Sequence, residues 1–163
     1  MTDATRYIST KGCRSIREAG HEAEATMAKI GAIKLTVKIK GETATADVAY
    51  DITFSKTDIK NKQAYEEDCR LIGDDTHAGD PAAAGGDDIL EFLTPMFNKP
   101  VKPGTKDTVS RKHKKSFRAL DLNEDMNAIP NPDEIRARVT LMPVAPSTAK
   151  PVQRESPMLK LKL

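Results

Sequence analysis

The densest group of residues that can bind a ligand is a basic run at 111–118, Arg-Lys-His-Lys-Lys-Ser-Phe-Arg. Lysine and arginine contact phosphates, and a phenylalanine can stack on a base. The candidate contact residues for a nucleic acid or an acidic partner are Arg111, Lys112, Lys114, Lys115, Phe117 and Arg118. Two alternatives stay open: a solvated basic loop, and a segment that neutralises the chain's own acidic residues.

A second group of polar residues is acidic and lies in a glycine-rich stretch. Oxygen ligands from aspartates, with His77 beside them, suit a divalent metal ion, but nothing in the sequence orients them. We therefore predict no metal site and interpret the aspartates as a protein-contact surface. The candidate contact residues are Asp74, Asp75, Asp80, Asp87 and Asp88.

Residues 121–127 match the first half of an EF-hand calcium loop, with oxygen-bearing side chains at alternate positions. The sixth position should be glycine and is Met126, and the twelfth should be glutamate and is Pro132. We interpret the segment as a turn ahead of a strand, with no bound calcium.

Enzymatic chemistry has little support. The three histidines, His21, His77 and His113, are scattered, and no hydrolase, phosphate-loop, dinucleotide or HExxH motif occurs. The two cysteines, Cys13 and Cys69, form neither a CxxC pair nor a disulfide framework. We predict no catalytic residue, no cofactor and no enzymatic activity.

Charge is segregated along the chain although the formal net charge is only +2. Residues 61–98 carry 2 basic and 9 acidic side chains, whereas residues 99–163 carry 14 basic and 7 acidic ones. Such asymmetry is typical of interaction surfaces or charged tails. No apolar run approaches the ~18–20 residues of a membrane helix and no signal peptide is evident, so we expect a cytoplasmic protein without membrane contact, including the host cytoplasm or a virion.

Period-two alternation of apolar residues identifies the clearest structural element, a β-hairpin at 33–40 and 46–55 with one buried face. The apolar positions are Ile33, Leu35, Val37 and Ile39, followed by Ala46, Val48, Tyr50, Ile52 and Phe54.

The register of this hairpin can be predicted from charge pairing. We predict a four-residue loop, 41–44, because it places Lys38 opposite Asp47 and Lys34 opposite Asp51. A two-residue loop would lose both ion pairs. These four charged residues are expected on a solvent-exposed face of the sheet.

The predicted fold class is α+β: a small, mainly antiparallel sheet, formed by the hairpin and a strand at 135–142, covered by helices near 15–30 and 58–72. Only 4% of the residues are aromatic, which predicts a small core. The predicted organisation is a flexible N-terminus, 1–12; one domain, 13–142, with a mobile acidic loop at 73–88 and a basic linker at 98–118; and a proline-rich arm, 143–163.

The leading functional hypothesis is a non-enzymatic accessory, inhibitory or assembly factor of the kind that phages or mobile elements encode. It would act by protein–protein contact or self-association, through the charged segments or by adding the strand-like C-terminus to a sheet edge. The candidate residues in that C-terminus are Leu159, Leu161 and Leu163. The alternatives are a nucleic-acid-binding protein that uses 111–118, and a self-assembling virion-type subunit with an exchanged arm.

Overall fold

The chain forms a two-sheet β-structure, as a computed structural model of residues 27–73, 89–95, 99–122 and 133–161 describes it. The strands are β1 Lys29–Ile30, β2 Lys34–Lys40, β3 Thr43–Thr53, β4 Tyr65–Gly73, β5 Ile89–Phe92, β6 Thr108–Arg118, β7 Asp133–Pro143, β8 Val152–Glu155 and β9 Leu159–Leu161. The helical segments are α1, Lys56–Asn61, and a 3-10 turn, Ala119–Leu122.

Sheet A is built around β3. One edge of β3 pairs with β1 and β2, and the other edge pairs with β6 over its whole length, all antiparallel. Burial alternates along β3 because successive side chains point to opposite faces. The buried residues of β3 are Ala44, Ala46, Val48, Tyr50 and Ile52. Sheet A therefore has one core face and one solvent face.

Sheet B is built around β7, which pairs with β4 on one edge and with β8 and β9 on the other. Strand β5 pairs with the far edge of β4. The inner face of this sheet buries Tyr65, Cys69 and Leu71 of β4, together with alternate residues of β7. These residues join the buried residues of sheet A in one hydrophobic core, so the two sheets pack face to face as a sandwich.

The predicted α+β fold class is wrong, because the two sheets cover each other and no helix covers them within the described residues. The helix predicted at 58–72 ends at Asn61, and Tyr65–Gly73 is strand β4. The helix predicted near 15–30 lies mostly outside the described residues, and Lys29–Ile30 at its end is strand β1.

The short helix α1 has clear local causes for both of its ends. Ser55 and Asp58 form a capping box, in which the serine hydroxyl accepts from the Asp58 amide and the carboxylate accepts from the Ser55 amide. Lys62 ends the helix in a left-handed conformation with φ of 52°. Asp58 is buried and also accepts a hydrogen bond from the Tyr65 hydroxyl at 2.7 Å, which joins the helix to the start of β4.

The hairpin is present, and its predicted buried face on β3 is confirmed, but the predicted register is wrong. The loop has two residues, so Lys38 lies opposite Thr45 and Lys34 lies opposite Ala49. Gly41 occupies the first loop position with φ of 58°, a conformation that glycine adopts without strain. The lysine partners of Asp47 come instead from β6, a strand more than fifty residues away in sequence.

Two segments that were predicted to lie outside the sheets contain strands. The basic linker predicted at 98–118 includes β6, and the arm predicted at 143–163 includes β8 and β9, which pair with this chain's own β7. The strand predicted at 135–142 is present as Asp133–Pro143. The predicted flexible N-terminus, 1–12, and residues 74–88 of the predicted acidic loop lie outside the described residues.

Candidate nucleic-acid interface

Strand β6 divides the basic run between the two faces of sheet A, because side chains alternate along a strand. The inward-facing residues, which lie opposite the buried residues of β3, are Arg111, His113, Lys115 and Phe117. The outward-facing residues are Lys112, Lys114, Ser116 and Arg118. The basic run therefore consists of an inward half and an outward half, whose side chains lie in different environments.

The inward half meets a buried carboxylate of sheet B. Arg111 Nε donates to both oxygens of Glu67, at 2.9 and 3.1 Å, and its Nη2 donates to Oε2 at 2.5 Å. The Tyr50 hydroxyl donates to Oε1 at 2.5 Å, and His113 Nε2 lies 3.1 Å from that hydroxyl and 3.4 Å from Oε1. The Glu67 side chain is 0% exposed. This Glu67 cluster joins sheet A to sheet B across the core.

The electrostatics of the Glu67 cluster keep its carboxylate ionised. Burial alone would raise the pKa of Glu67, but hydrogen bonds from His113, Arg111 and Tyr50 outweigh that effect and hold the pKa at about 2. Burial next to the carboxylate raises the pKa of the Tyr50 hydroxyl, so the tyrosine stays neutral. Glu67 cannot donate a proton near neutral pH, and we assign the cluster a structural role.

The neighbouring thiol also lacks the properties of a reactive group. Cys69 is fully buried, and burial raises its pKa to about 12. A nucleophilic cysteine needs an accessible thiolate, so Cys69 acts as a small core residue.

The remaining inward residues of the basic run also contact sheet B or the core. Lys115 Nζ lies 2.5 Å from Glu91 Oε1 and donates to the Phe92 carbonyl at 2.9 Å. Phe117 is half-buried and packs against the core. The acidic partners on this side, Glu67 and Glu91, belong to the acidic segment 61–98, so the charges of Arg111 and Lys115 are compensated by this chain's own carboxylates.

The outward half belongs to a larger basic surface, which we call the basic face: the outer side of sheet A. Residues that lie directly opposite each other on paired strands share a face, so the register defines the members. The basic members are Lys29, Lys34, Lys38, Lys40, Lys112, Lys114 and Arg118. The acidic members are Asp47 and Asp51. Seven positive charges thus face two negative ones.

Intramolecular pairing on the basic face is sparse. Asp47 lies 3.3 Å from Lys112 Nζ and 4.0 Å from Lys114 Nζ, and Arg118 pairs with Asp121 of the adjoining 3-10 turn at 2.7 Å. Hydrogen bonds from Arg118 lower the pKa of Asp121. The four lysines of β1 and β2 have no ion-pair partner among the described residues. They are Lys29, Lys34, Lys38 and Lys40.

The outer side of sheet B has a different charge arrangement. Its charged strand residues are four acids and four bases: Glu66, Asp68, Glu134 and Glu155, and Arg70, Arg136, Arg138 and Lys160. Arg70 pairs with Asp68, both arginines of β7 pair with Glu155, and Lys160 Nζ lies 2.5 Å from Glu134. This surface neutralises itself, whereas the basic face keeps a net excess of positive charge.

The predicted contact residues outside the basic run do not belong to the basic face in the part of the chain that the structure describes. The acidic candidates Asp74, Asp75, Asp80, Asp87 and Asp88 lie outside the described residues, as does Leu163. Leu159 and Leu161 are half-buried in β9, which pairs with β7 of the same chain. Their role in binding another chain stays a prediction.

Two further findings concern metal and membrane binding. In the ranges that the structure covers, no group of three or more histidine, cysteine, aspartate or glutamate side chains is arranged to hold a metal ion. Within the same ranges, no helix has the length and apolar character of a membrane span.

Sequence reasoning missed Glu67, and it named none of the four lysines of β1 and β2 as a contact residue: Lys29, Lys34, Lys38 and Lys40. Lys34, Lys38 and Lys40 could have been found, because strict alternation puts every second residue of a hairpin on one face, whereas Lys29 lies in β1, outside the hairpin. Glu67 carried no such signal, since a charged residue on an inward position contradicts the usual pattern until its arginine partner is known.

The comparisons with known proteins add no relative from which a role could be inferred. No protein-family model matches the sequence, and no curated protein or solved structure is significantly similar to it.

Proposed function

We propose that this protein is a non-enzymatic nucleic-acid-binding protein that holds a sugar-phosphate backbone on its basic face. The observation that supports the proposal is the imbalance of seven basic and two acidic side chains on one exposed sheet surface. The outer side of sheet B, with four charges of each sign, shows that such an excess is not a general property of this molecule.

The layout of the basic residues suits phosphates. Neighbouring strands lie about 4.8 Å apart, so the rows on β2 and β6 flank β3 at a separation of about 10 Å. Lysines that have no intramolecular acid need not break an ion pair before they contact phosphate. Each such contact releases condensed counterions from the nucleic acid, which is the main source of sequence-independent affinity.

The side chains of the central row favour a nucleic acid over a protein partner. Protein interfaces are anchored by buried aromatic residues and are depleted in lysine. On the described basic face the β3 row is small or polar, and no aromatic residue is present. Its members are Thr43, Thr45, Asp47, Ala49, Asp51 and Thr53. Without an aromatic platform for bases, recognition rests on the backbone and is independent of sequence.

The test is equilibrium binding, measured by fluorescence anisotropy, of labelled RNA and DNA to the wild type and to a variant that lacks the three lysines of β2. The face variant is Lys34→Gln, Lys38→Gln, Lys40→Gln, which breaks no described ion pair. The matched control is Lys60→Gln, Lys102→Gln, Lys150→Gln, because these exposed lysines lie outside sheet A and their loss changes the net charge equally.

We expect the face variant to lose at least about tenfold in affinity and the control to stay within about twofold of the wild type. Equal losses in both variants would show that only total charge matters and would contradict the basic face as the site. If the wild-type protein binds no nucleic acid at low salt, the proposed function is wrong, and the hypothesis of a protein-binding accessory factor becomes the leading one.

A further inference from the structure

One part of the basic face contains a depression of about 380 Å³ that is lined by residues of all three main strands of sheet A. Ala49 lies directly opposite Lys34 on one side and Lys112 on the other. Because the alanine side chain ends at Cβ, the floor between the two lysines is low. Lys34 and Lys112 therefore line an open space above the central strand, and the ammonium group of Lys112 lies 3.3 Å from Asp47 Oδ1.

The same depression is also lined by Asp51, the second acidic residue of the basic face. Its carboxylate accepts a hydrogen bond from the Ser110 hydroxyl at 2.6 Å. Unlike Asp47, it has no basic partner among the described residues. A carboxylate in this position repels a phosphate, unless the ligand brings a hydrogen-bond donor next to its phosphate.

RNA carries such a donor on its sugar-phosphate backbone, since each ribose has a 2′-hydroxyl that DNA lacks. We infer that this depression is a nucleotide subsite in which Lys34 and Lys112 hold a backbone phosphate while Asp51 accepts a hydrogen bond from the ribose 2′-hydroxyl. The inference rests on the proposed nucleic-acid function and deepens it: the ligand is RNA in preference to DNA.

The distances within sheet A fit this division of roles. Asp51 follows Ala49 by two residues on the same face, which is a rise of about 6.6 Å along the strand. The phosphate position above Ala49 and the acceptor position at Asp51 therefore fall on neighbouring parts of one nucleotide. Double-stranded RNA presents phosphates and 2′-hydroxyls together on its wide, shallow minor groove, which is accessible to the surface of a sheet.

The experiment compares two duplexes of about 16 base pairs and identical sequence, one of RNA and one of 2′-fluoro RNA, which keeps the A-form shape but has no 2′-hydroxyl donor. We expect the wild-type protein to bind the RNA duplex about tenfold more tightly, the worth of one hydrogen bond to a charged acceptor. In Asp51→Ala the affinities for both duplexes should converge. Asp51 is exposed, so the variant should fold normally.

A second variant tests the position of the phosphate without changing charge. Ala49→Val fills the floor between the two lysines and should weaken RNA binding about fivefold or more, because one phosphate contact is lost. The matched control is Thr140→Val on the outer side of sheet B, away from the basic face, which should bind as the wild type does.

Each outcome decides between the two proposals. Equal wild-type affinity for both duplexes, or a preference that survives in Asp51→Ala, overturns the RNA subsite and leaves the proposed function standing. Unchanged RNA binding by Ala49→Val also overturns the subsite. Absence of binding to both duplexes overturns the RNA subsite, and absence of binding to DNA as well overturns the proposed function itself.

Discussion

The two sides of strand β6 carry similar basic residues in opposite environments. On the inner side, the side chain of Arg111 is 28% exposed and that of His113 is 10% exposed, and both contact the buried Glu67. On the outer side, the side chains of Lys112 and Lys114 are 70% and 64% exposed. One run of sequence thus supplies both a structural cluster and part of a surface, and only the second is available to a ligand.

This division explains why the composition of the run is a poor guide to its function. An inner cation that meets a buried carboxylate orients the two sheets, and removing one partner leaves the other charge without compensation. An outer cation contributes little to folding, because exposed ion pairs are worth only about 0–1 kcal/mol. The inner side should therefore respond to mutation through stability, and the outer side through binding.

The largest effect is expected from Glu67→Ala, which leaves Arg111 and His113 facing the core without their carboxylate. The free energy of unfolding should fall by about 3–5 kcal/mol, as measured by chemical denaturation. The control is Glu66→Ala, the adjacent exposed residue of β4, which should change stability by less than about 0.5 kcal/mol. Equal effects of the two substitutions would contradict the structural role of the Glu67 cluster.

Acid should weaken the Glu67 cluster in a defined pH range. The pKa of Glu67 is about 2 in the folded protein, against an ordinary value of 4.5. Since the folded value is the lower one, the stabilisation is complete above pH 4.5 and is lost as the pH falls toward 2. Denaturation of the wild type and of Glu67→Gln across this range should give a smaller pH-dependent loss in the variant. Parallel curves would show that Glu67 makes no such contribution.

A smaller effect is expected where the inner side reaches solvent. The ion pair of Lys115 and Glu91 involves side chains that are 44% and 20% exposed. A double-mutant cycle with Lys115→Ala and Glu91→Ala should give a coupling free energy of about 0.2–1 kcal/mol that decreases with added salt. A coupling free energy as large as that expected for a buried pair would contradict the expectation that ion pairs on the inner side become weaker as their exposure increases.

The smallest effect on stability is expected on the outer side. Lys112→Ala and Lys114→Ala should each change the free energy of unfolding by less than about 0.5 kcal/mol, although each removes a contact near Asp47. The same variants should weaken nucleic-acid binding. A destabilisation above about 1 kcal/mol in either variant would mean that the outer side is structural as well.

The sequence predicts the local features of this fold and not the long-range ones. The buried face of β3 and the strand at 135–142 follow from alternation of apolar residues, a signal that can be read within a window of a few residues. The hairpin register does not, because Asp47 obtains its lysines from β6 and not from β2. The observed two-residue loop loses nothing by leaving Lys38 without an acid, since the charge of Asp47 is compensated elsewhere.

The wrong fold class has the same cause. In β4 the inward positions are Tyr65, Glu67, Cys69 and Leu71, and the glutamate interrupts an otherwise apolar alternation. Tyr65, Cys69 and Ile72 are spaced by four and three residues, which fits one face of a helix and favours the predicted helix at 58–72. A glutamate can be buried at this position only because Arg111 of the distant strand β6 compensates its charge. The strand and the Glu67 cluster therefore cannot be predicted separately from local sequence.

The composition of the basic face follows only in part from the sequence. Lys112, Lys114 and Arg118 belong to a visible basic run, and their contact with a ligand stays a prediction. Their combination with the lysines of β1 and β2 depends on the pairing of β6 with β3. Arg111 and Lys115, two other candidate contact residues, have intramolecular partners in Glu67 and Glu91. Within a strand, the face to which a side chain points decides whether it meets the core or the solvent. That face is known only once the segment is recognised as a strand.

The most direct test of the central claim is the salt dependence of nucleic-acid affinity for the wild type and for the triple variant Lys34→Gln, Lys38→Gln, Lys40→Gln. For a duplex, the slope of log affinity against log salt concentration is about −0.9 for each phosphate contact. We predict that the variant has a lower affinity and a slope smaller in magnitude by about 2–3, because three contacts are lost. An unchanged affinity and slope would contradict binding by the basic face.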